Sequence, residues 1–171
     1  MRPLPCCDEE IIMSETIGPH FHPAKILLPI DFSSSSCVAL ETAAEIAGHF
    51  QADLYLIHVI PKLPIVTEAD FFEETAVLQS ARNLAEQQLD EQVVSLTSKG
   101  IRARSHIEVG NDVTDSIMKV IERENIDLVV LSTHGMSGWR LEVFGSIAEK
   151  VVKLVECPLL LLRSVKTVGD A

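Results

Sequence analysis

The segment from Ser132 to Glu149 contains the residues best suited to bind an anion. It follows the apolar run 128–131 and carries three glycines before a helical pattern that begins at Ser146. The glycines are Gly135, Gly138 and Gly145. Glycine lets a backbone approach a ligand closely, and a helix N-terminus offers unpaired N–H groups and a favourable dipole. Because this loop joins a buried strand to a helix start, the spacing predicts a phosphate site.

The same residues also have a structural interpretation. Ser146 and Glu149 match the Ser-x-x-Glu capping box, in which the hydroxyl accepts a backbone N–H and the carboxylate reaches back to the cap. Asp31 ends the first apolar segment just before the serines 33–36. It is open to two interpretations, a ligand-binding acid at a strand end or a helix-capping acid.

Apolar segments alternate with helical patterns along the chain. The predicted strands are 25–31, 53–59, 101–109, 128–131 and 159–162, and helical patterns lie between them at 37–47, 78–96, about 111–125 and from 146 onward. Such alternation requires an α/β fold with a parallel sheet, right-handed crossovers and helices on both faces. Ligands then bind beyond the carboxyl ends of strands where the winding reverses. Two strands carry polar residues there, the first at Asp31 and the fourth at Ser132 to Gly135.

The strands differ in their patterns. Residues 101–109 alternate apolar and polar side chains, which favours an edge strand with one wet face. His106 falls on that polar face, so we expect it to be solvated rather than a ligand. The runs 128–131 and 159–162 are apolar throughout, which is typical of central strands covered on both faces. Asn111 or Asp112 is expected to cap the helix that follows the third strand.

Length and charge restrict the function further. The 171 residues predict one domain, at 25–171, after a flexible segment at 1–24, and the net charge of -11 argues against nucleic acid or an acidic membrane as partner. No apolar run approaches the length of a membrane span, and the first 24 residues do not match a signal peptide. The four cysteines form no CxxC pair, which favours a reducing cytoplasm. Cys37 and Cys157 occupy apolar positions and are expected in the core.

With these segments in place, residues 25–163 resemble the universal stress protein family. The match is carried by Ile26 to Ser33, by Leu56 to Val59, and by the loop from Gly135 to Ser146, which is similar to the family's signature Gly-x-x-Gly, nine residues, Gly-Ser. The resemblance implies a doubly wound, Rossmann-like sheet of order 3-2-1-4-5. It also implies the branch of the family that binds ATP. Ser132 stands where the motif has its first glycine, and we expect it to be tolerated because its backbone N–H is retained.

The resemblance implies a set of nucleotide-binding residues. Those expected near the base are Pro29, Ile30, Asp31 and Val59, those near the ribose and first phosphate are Leu131, Ser132, His134 and Gly135, and those that present N–H groups to the outer phosphates are Gly145, Ser146, Ile147 and Ala148. Asp31 would accept a hydrogen bond from the exocyclic amine or the ribose. The expected cofactor is ATP, with Mg²⁺ or Mn²⁺ bridging its phosphates, and no metal site formed by the protein alone is expected.

Three functions remain open. The chain has no Gly-x-x-x-x-Gly-Lys-Ser/Thr loop, and Arg140 is the only cation in the nucleotide loop, so an ATP-binding stress-response regulator without catalytic residues is favoured. The alternatives are a slow metal-dependent ATPase or autokinase, and a nucleotide-independent interaction protein that uses Trp139-Arg140 or the acidic long helix. The family order places the apolar strand 158–163 at a sheet edge, which predicts a homodimer through that strand.

Overall fold

The structure, a computed structural model, describes residues 21–62, 68–133 and 145–163, with only the backbone for 68–74. The elements are β1 (Lys25–Pro29), α1 (Ser34–Phe50), β2 (Asp53–Pro61), α2 (Glu68–Ser98), β3 (Ala103–Gly110), α3 (Val113–Glu124), β4 (Leu128–Ser132), α4 (Ser146–Leu154) and β5 (Leu159–Leu162). The five strands are all parallel and lie in the order β3-β2-β1-β4-β5. The predicted alternation, strand order and doubly wound α/β class are therefore confirmed.

The sheet is covered on both faces because its strands alternate. Ile26 and Leu28 of β1 join a cluster with residues of α1 and α2, whereas Leu27 joins a second cluster with residues of α3 and α4. All three are fully buried. Each side chain of a strand points to the face opposite its neighbour, so one apolar strand supplies both cores.

The winding reverses between β1 and β4, which are neighbours in the sheet. The helix that follows β1 packs on one face, and the helix that follows β4 packs on the other. The two connections therefore diverge at the carboxyl edge, and this divergence leaves a crevice. Asp31, which follows the end of β1, and Ser132, the last residue of β4, lie beside it.

The longest helix, α2, presents one apolar stripe to the sheet. Ala85, Leu89 and Leu96 are buried, as the sequence pattern predicts. Gly100 follows the helix with a φ of 80°, a conformation that side chains rarely adopt, and turns the chain toward β3. Within the described ranges, no helix is both long enough and apolar enough to cross a bilayer.

Two predictions of burial are wrong. The apolar pattern of β5 predicted a central strand, but β5 lies at the edge that the family order implies, and its four leucines are half-buried because β4 is its one partner among the described strands. Cys37 is exposed and Cys157 is half-buried. The buried face of α1 passes through Ser36, Ala39 and Ala43, and Cys37 is turned about 100° away from Ser36 around the helix.

The polar face of β3 is partly covered, because His106 and Glu108 are half-buried while Arg104 is exposed. The strand lies at the edge, as predicted, but α3 packs across it and Arg123 Nη1 donates to Glu108 Oε1 at 3.0 Å. The ring of His106 stacks on Tyr55 with 5.7 Å between centroids. Its Nε2 is buried and has no hydrogen-bond partner among the described residues. The prediction that His106 is solvated is therefore wrong, because the sequence pattern does not show that α3 extends over this edge.

Candidate functional site

A cleft of about 270 Å³ opens at the carboxyl edge between β1 and β4, beside the N-termini of α3 and α4. Its lining residues are Pro29, Ile30, Asp31, Val113, Ile117, Leu131, Ser132, Thr133, Gly145, Ser146, Ile147 and Ala148. Nine of these twelve are residues that the sequence predicts for ligand binding. The fold thus brings together side chains and backbone groups that are more than a hundred residues apart in the chain.

The remaining residues differ from expectation in two ways. Val59 is half-buried against the core beneath α3 and α4 and does not line the cleft, while His134 and Gly135 lie outside the described residues. Val113, Ile117 and Thr133 line the cleft without having been predicted for the site. Thr133 could have been inferred from Ser132 beside it. For the two α3 residues the sequence predicted a helix but could not show which strands the helix crosses.

At the end of β1 the chain turns sharply and fixes one carboxylate at the cleft. Asp31 Oδ1 accepts from Ser33 N at 3.1 Å and from Ser33 Oγ at 2.5 Å. Between them Phe32 has a φ of 61°, a left-handed conformation that costs a residue other than glycine about 1 to 3 kcal/mol. Ser33 is the N-cap of α1, since its Oγ accepts from Ser36 N at 3.2 Å. Asp31 therefore supports the cap residue and does not itself cap the helix.

Backbone hydrogen bonds connect the end of β4 to β5 and to the start of α4. Thr133 N donates to Leu162 O at 2.9 Å, and Gly145 N donates to Thr133 O at 2.8 Å. Gly145 has a φ of -57°, which any residue adopts. A Cβ added there would lie 3.3 Å from Thr133 O, which is a tight contact. Glycine at 145 therefore allows close approach, and no left-handed backbone requires it.

The predicted capping box does not form. Gly145 is the N-cap of α4, Ser146 is its first helical residue, and within the described part of the chain no side chain caps this terminus. The carboxylate of Glu149 accepts instead from Lys153 Nζ at 2.7 Å, and this bond holds its pKa below the usual value. The first N–H groups of a helix have no partner within it. Those of Ser146, Ile147 and Ala148 belong to residues that line the cleft.

The N-terminus of α3, in contrast, is closed by side chains. Asp112 Oδ1 accepts from Thr114 N at 2.7 Å and from Asp115 N at 3.3 Å, and Lys150 Nζ lies 2.8 Å from Oδ2. The lysine hydrogen bond, followed by the two backbone N–H groups, lowers the pKa of Asp112 to about 2. This terminus is thus already occupied by a carboxylate of the protein.

The cleft therefore combines three chemical features. Its walls are apolar, with Pro29, Val113 and Leu131 among them, and Asp31 is the one charged side chain among the described lining residues. The N-terminus of α4 supplies N–H donors and the positive end of a dipole. The described residues contain no cluster of three or more His, Cys, Asp or Glu side chains that would hold a metal ion. This arrangement suits a ligand with a flat apolar part, a hydrogen-bond donor and an anionic group.

Comparison with known proteins gives one consistent family. The model of the Universal stress protein family matches residues 23–163. Universal stress protein MJ0531 of Methanocaldococcus jannaschii is 27% identical over 142 residues, covering 83% of each chain. Universal stress protein A homolog 1 of Coxiella burnetii is 30% identical over 146 residues, covering 81% of this chain and 95% of its own.

Solved structures agree on the fold. Universal stress protein UspA from Lactobacillus plantarum superposes with a TM-score of 0.76 at 22% identity, covering 82% of this chain and 97% of its own. A universal stress protein in complex with cAMP has a TM-score of 0.59 at 18% identity, with coverage of 84% and 99%. The universal stress protein from Archaeoglobus fulgidus in complex with dAMP has a TM-score of 0.56 at 20% identity, with coverage of 80% and 95%.

Proposed function

The chain belongs to the universal stress protein family, and on that basis we propose that it binds ATP in the cleft between β1 and β4 and acts as a nucleotide-dependent regulator of a stress response. The observation that carries this proposal is the N-terminus of α4, which no side chain of the described residues caps and which opens onto an apolar cleft. Neighbours of the same fold in complex with cAMP and dAMP support an adenine nucleotide as the ligand class.

The base and ribose fit the apolar half of the cleft. Flat apolar groups gain from leaving water, and Pro29, Ile117 and Leu131 offer the surface for this. Asp31 accepts a hydrogen bond from the exocyclic amine or from a ribose hydroxyl, and its bonds from Ser33 hold the carboxylate in position. Comparing ATP with inosine triphosphate, 2′-deoxy-ATP and 3′-deoxy-ATP distinguishes these donors, since the first analogue lacks the amine and each of the others lacks one ribose hydroxyl.

The phosphates fit the N-terminus of α4. The protein carries a net charge of -11, so an anion must be bound by local donors against an unfavourable overall field. The N–H groups of Ser146, Ile147 and Ala148 and the hydroxyl of Ser146 are such donors. A Mg²⁺ or Mn²⁺ ion would be held mainly by the phosphates themselves, as is common for Mg²⁺ bound with nucleotides.

A slow autokinase is a second candidate because of one contact. The Ser33 hydroxyl donates to the Asp31 carboxylate at the cleft, which is the geometry of a nucleophile beside a base. In that reaction the serine oxygen would bond to the γ-phosphorus, its proton would pass to Asp31, and ADP would leave. Backbone N–H groups bind the ground state and the transition state with similar strength, so we expect turnover slower than about 1 per second.

We further expect a homodimer in the cytoplasm. The four leucines of β5 are only half-buried, and the strand has β4 on one side alone. An apolar edge strand favours pairing with a second copy. Light scattering should give twice the 18.8 kDa mass of the chain, and Leu161→Lys should return the protein to a monomer. A wild-type protein that stays monomeric at micromolar concentrations would exclude this assembly.

The proposed function is tested by the nucleotide that the protein carries. Purified protein is denatured, and the released small molecules are separated and identified, while calorimetric titration measures ATP binding and a phosphate assay measures turnover. We expect adenine nucleotide, micromolar or tighter binding of ATP, and little phosphate. ADP formation with the phosphoryl group bound to the protein, both lost in Ser33→Ala, would favour the autokinase, and fast release of free phosphate would favour an ATPase. An absence of any nucleotide binding would favour a nucleotide-independent interaction protein.

A further inference from the structure

We propose that His58 is a positioning residue for the nucleotide site, acting through Asp31 from the opposite face of the sheet. This inference rests on the proposed function and extends it by one residue that lies outside the cleft lining. His58 follows Ile57 in β2, at the level where β1 ends. Its imidazole makes two interactions there, one with the residue before Asp31 and one with the residue after it.

The first interaction holds the residue before Asp31. Ile30 N donates to Ile57 O at 2.8 Å, which continues the β1–β2 ladder one residue beyond the strand. The carbonyl of Ile30 accepts from the imidazole, with 2.8 Å between His58 Nδ1 and Ile30 O. Because a carbonyl only accepts, Nδ1 carries the proton in this bond.

The second interaction holds the residue after Asp31. The rings of His58 and Phe32 lie face to face at a tilt, with centroids 4.8 Å apart and 36° between the planes. Phe32 is also packed against the core on the α1 and α2 side. Its left-handed φ of 61° is a conformation that phenylalanine keeps only when its surroundings enforce it.

The two interactions together fix the direction of the Asp31 side chain. Phe32 packs on one face of the sheet while Asp31 lines the cleft on the other, and the left-handed turn at Phe32 separates them. The turn also brings Ser33 N and Oγ onto Asp31 Oδ1. If the imidazole is removed, Ile30 loses its hydrogen bond and Phe32 loses its stacking partner, so the turn relaxes and the carboxylate is no longer held at the cleft.

The test is a double-mutant cycle on ATP affinity. We expect His58→Leu to raise the Kd for ATP about tenfold, the effect of one lost hydrogen bond together with its consequences for Asp31. In an Asp31→Asn background the same change should cost less than about twofold, because residues that act through one another are not additive. His58→Asn, whose amide can donate in place of Nδ1, should recover most of the affinity.

A matched control and a second readout keep the outcomes distinct. His106 stacks on Tyr55 and belongs to β3, which β2 separates from β1 in the sheet, so His106→Leu should leave the Kd unchanged. Without nucleotide, the amide of Ser33, which donates to Asp31, should exchange with solvent faster in His58→Leu only. The role of His58 would be overturned if His58→Leu reduced ATP affinity equally in the wild-type and Asp31→Asn backgrounds. It would also be overturned if the exchange of the Ser33 amide did not change. Wild-type protein that binds no ATP while Ser33 exchange still responds would overturn the proposed function alone.

Discussion

The N-termini of α3 and α4 lie at the same edge of the sheet and beside the same cleft, yet they are capped differently. At α3 the carboxylate of Asp112 accepts two backbone N–H groups and pairs with Lys150. At α4 the cap is Gly145, which has no side chain to offer. One helix dipole is therefore satisfied by a carboxylate of the protein, whereas no side chain of the described residues caps the other. The difference supports the proposal that this acidic chain binds an anion at one helix terminus without a lysine or arginine among the described lining residues of the cleft.

The largest expected effect on ATP affinity comes from giving α4 a carboxylate N-cap like that of α3. Gly145→Asp places a capping carboxylate at the N-cap, so it competes with phosphate for the N–H groups and repels it. We expect ATP affinity to fall about 100-fold or more, since hydrogen bonds to a charged group are worth about 1.5 to 3 kcal/mol each. The helix itself should be no less stable, because Asp is a favoured N-cap. Calorimetry and thermal denaturation measure both quantities.

Gly145→Ala is the matched control for this variant. It adds only the Cβ that lies 3.3 Å from Thr133 O, so a smaller loss of affinity is expected from bulk alone. If alanine and aspartate reduced binding equally, crowding would explain the result and the electrostatic contrast between the two helices would be wrong.

A smaller effect is expected from the side chain of the first α4 residue. Ser146→Ala removes one hydroxyl donor and keeps the backbone N–H, so the Kd for ATP should rise about 3- to 10-fold. Ser146→Thr keeps the hydroxyl and should bind nearly as the wild type does. Equal binding by alanine and serine would mean that the hydroxyl makes no contact with phosphate.

Patterns within short segments predicted the alternation of strands and helices, and the family resemblance implied the strand order and most of the cleft residues. Alternating polarity identified β3 as an edge strand, and glycine spacing identified the segment that ends at Ser146. What failed depended on packing between distant segments. The burial of His106 Nε2 and the contribution of Ile117 to the cleft both follow from the position of α3. The capping of α4 depends on which residue begins the helix.

Changing the cap of α3 should affect stability and leave binding almost unchanged. Asp112→Ala leaves two N–H groups and Lys150 without their carboxylate, so we expect the melting temperature to fall by about 2 to 4 °C. The Kd for ATP should stay within about twofold. A large loss of affinity in a folded Asp112→Ala protein would show that the two termini are not independent.

The smallest expected effect is a pH dependence of the α3 cap. The pKa of Asp112 is lowered from 3.8 to about 2 in the folded protein, so its contribution to stability is present above pH 4 and is lost as the pH falls toward 2. Asp112→Asn should lack this part of the acid response. The free energy of unfolding of the wild type and of Asp112→Asn is measured with denaturant at pH 5 and at pH 2.5. An identical loss of stability in both proteins would contradict a role of Asp112 in the acid response.

The central claim is that phosphate binds at the open terminus of α4 and leaves the closed terminus of α3 unaffected. The most direct measurement is an NMR titration of the labelled protein with ATP and Mg²⁺, following backbone amides. We predict that the largest shifts occur at Ser146, Ile147 and Ala148, while Thr114 and Asp115, whose N–H groups already donate to Asp112, move little. Shifts as large at Thr114 and Asp115, or no shifts at the start of α4, would contradict the account.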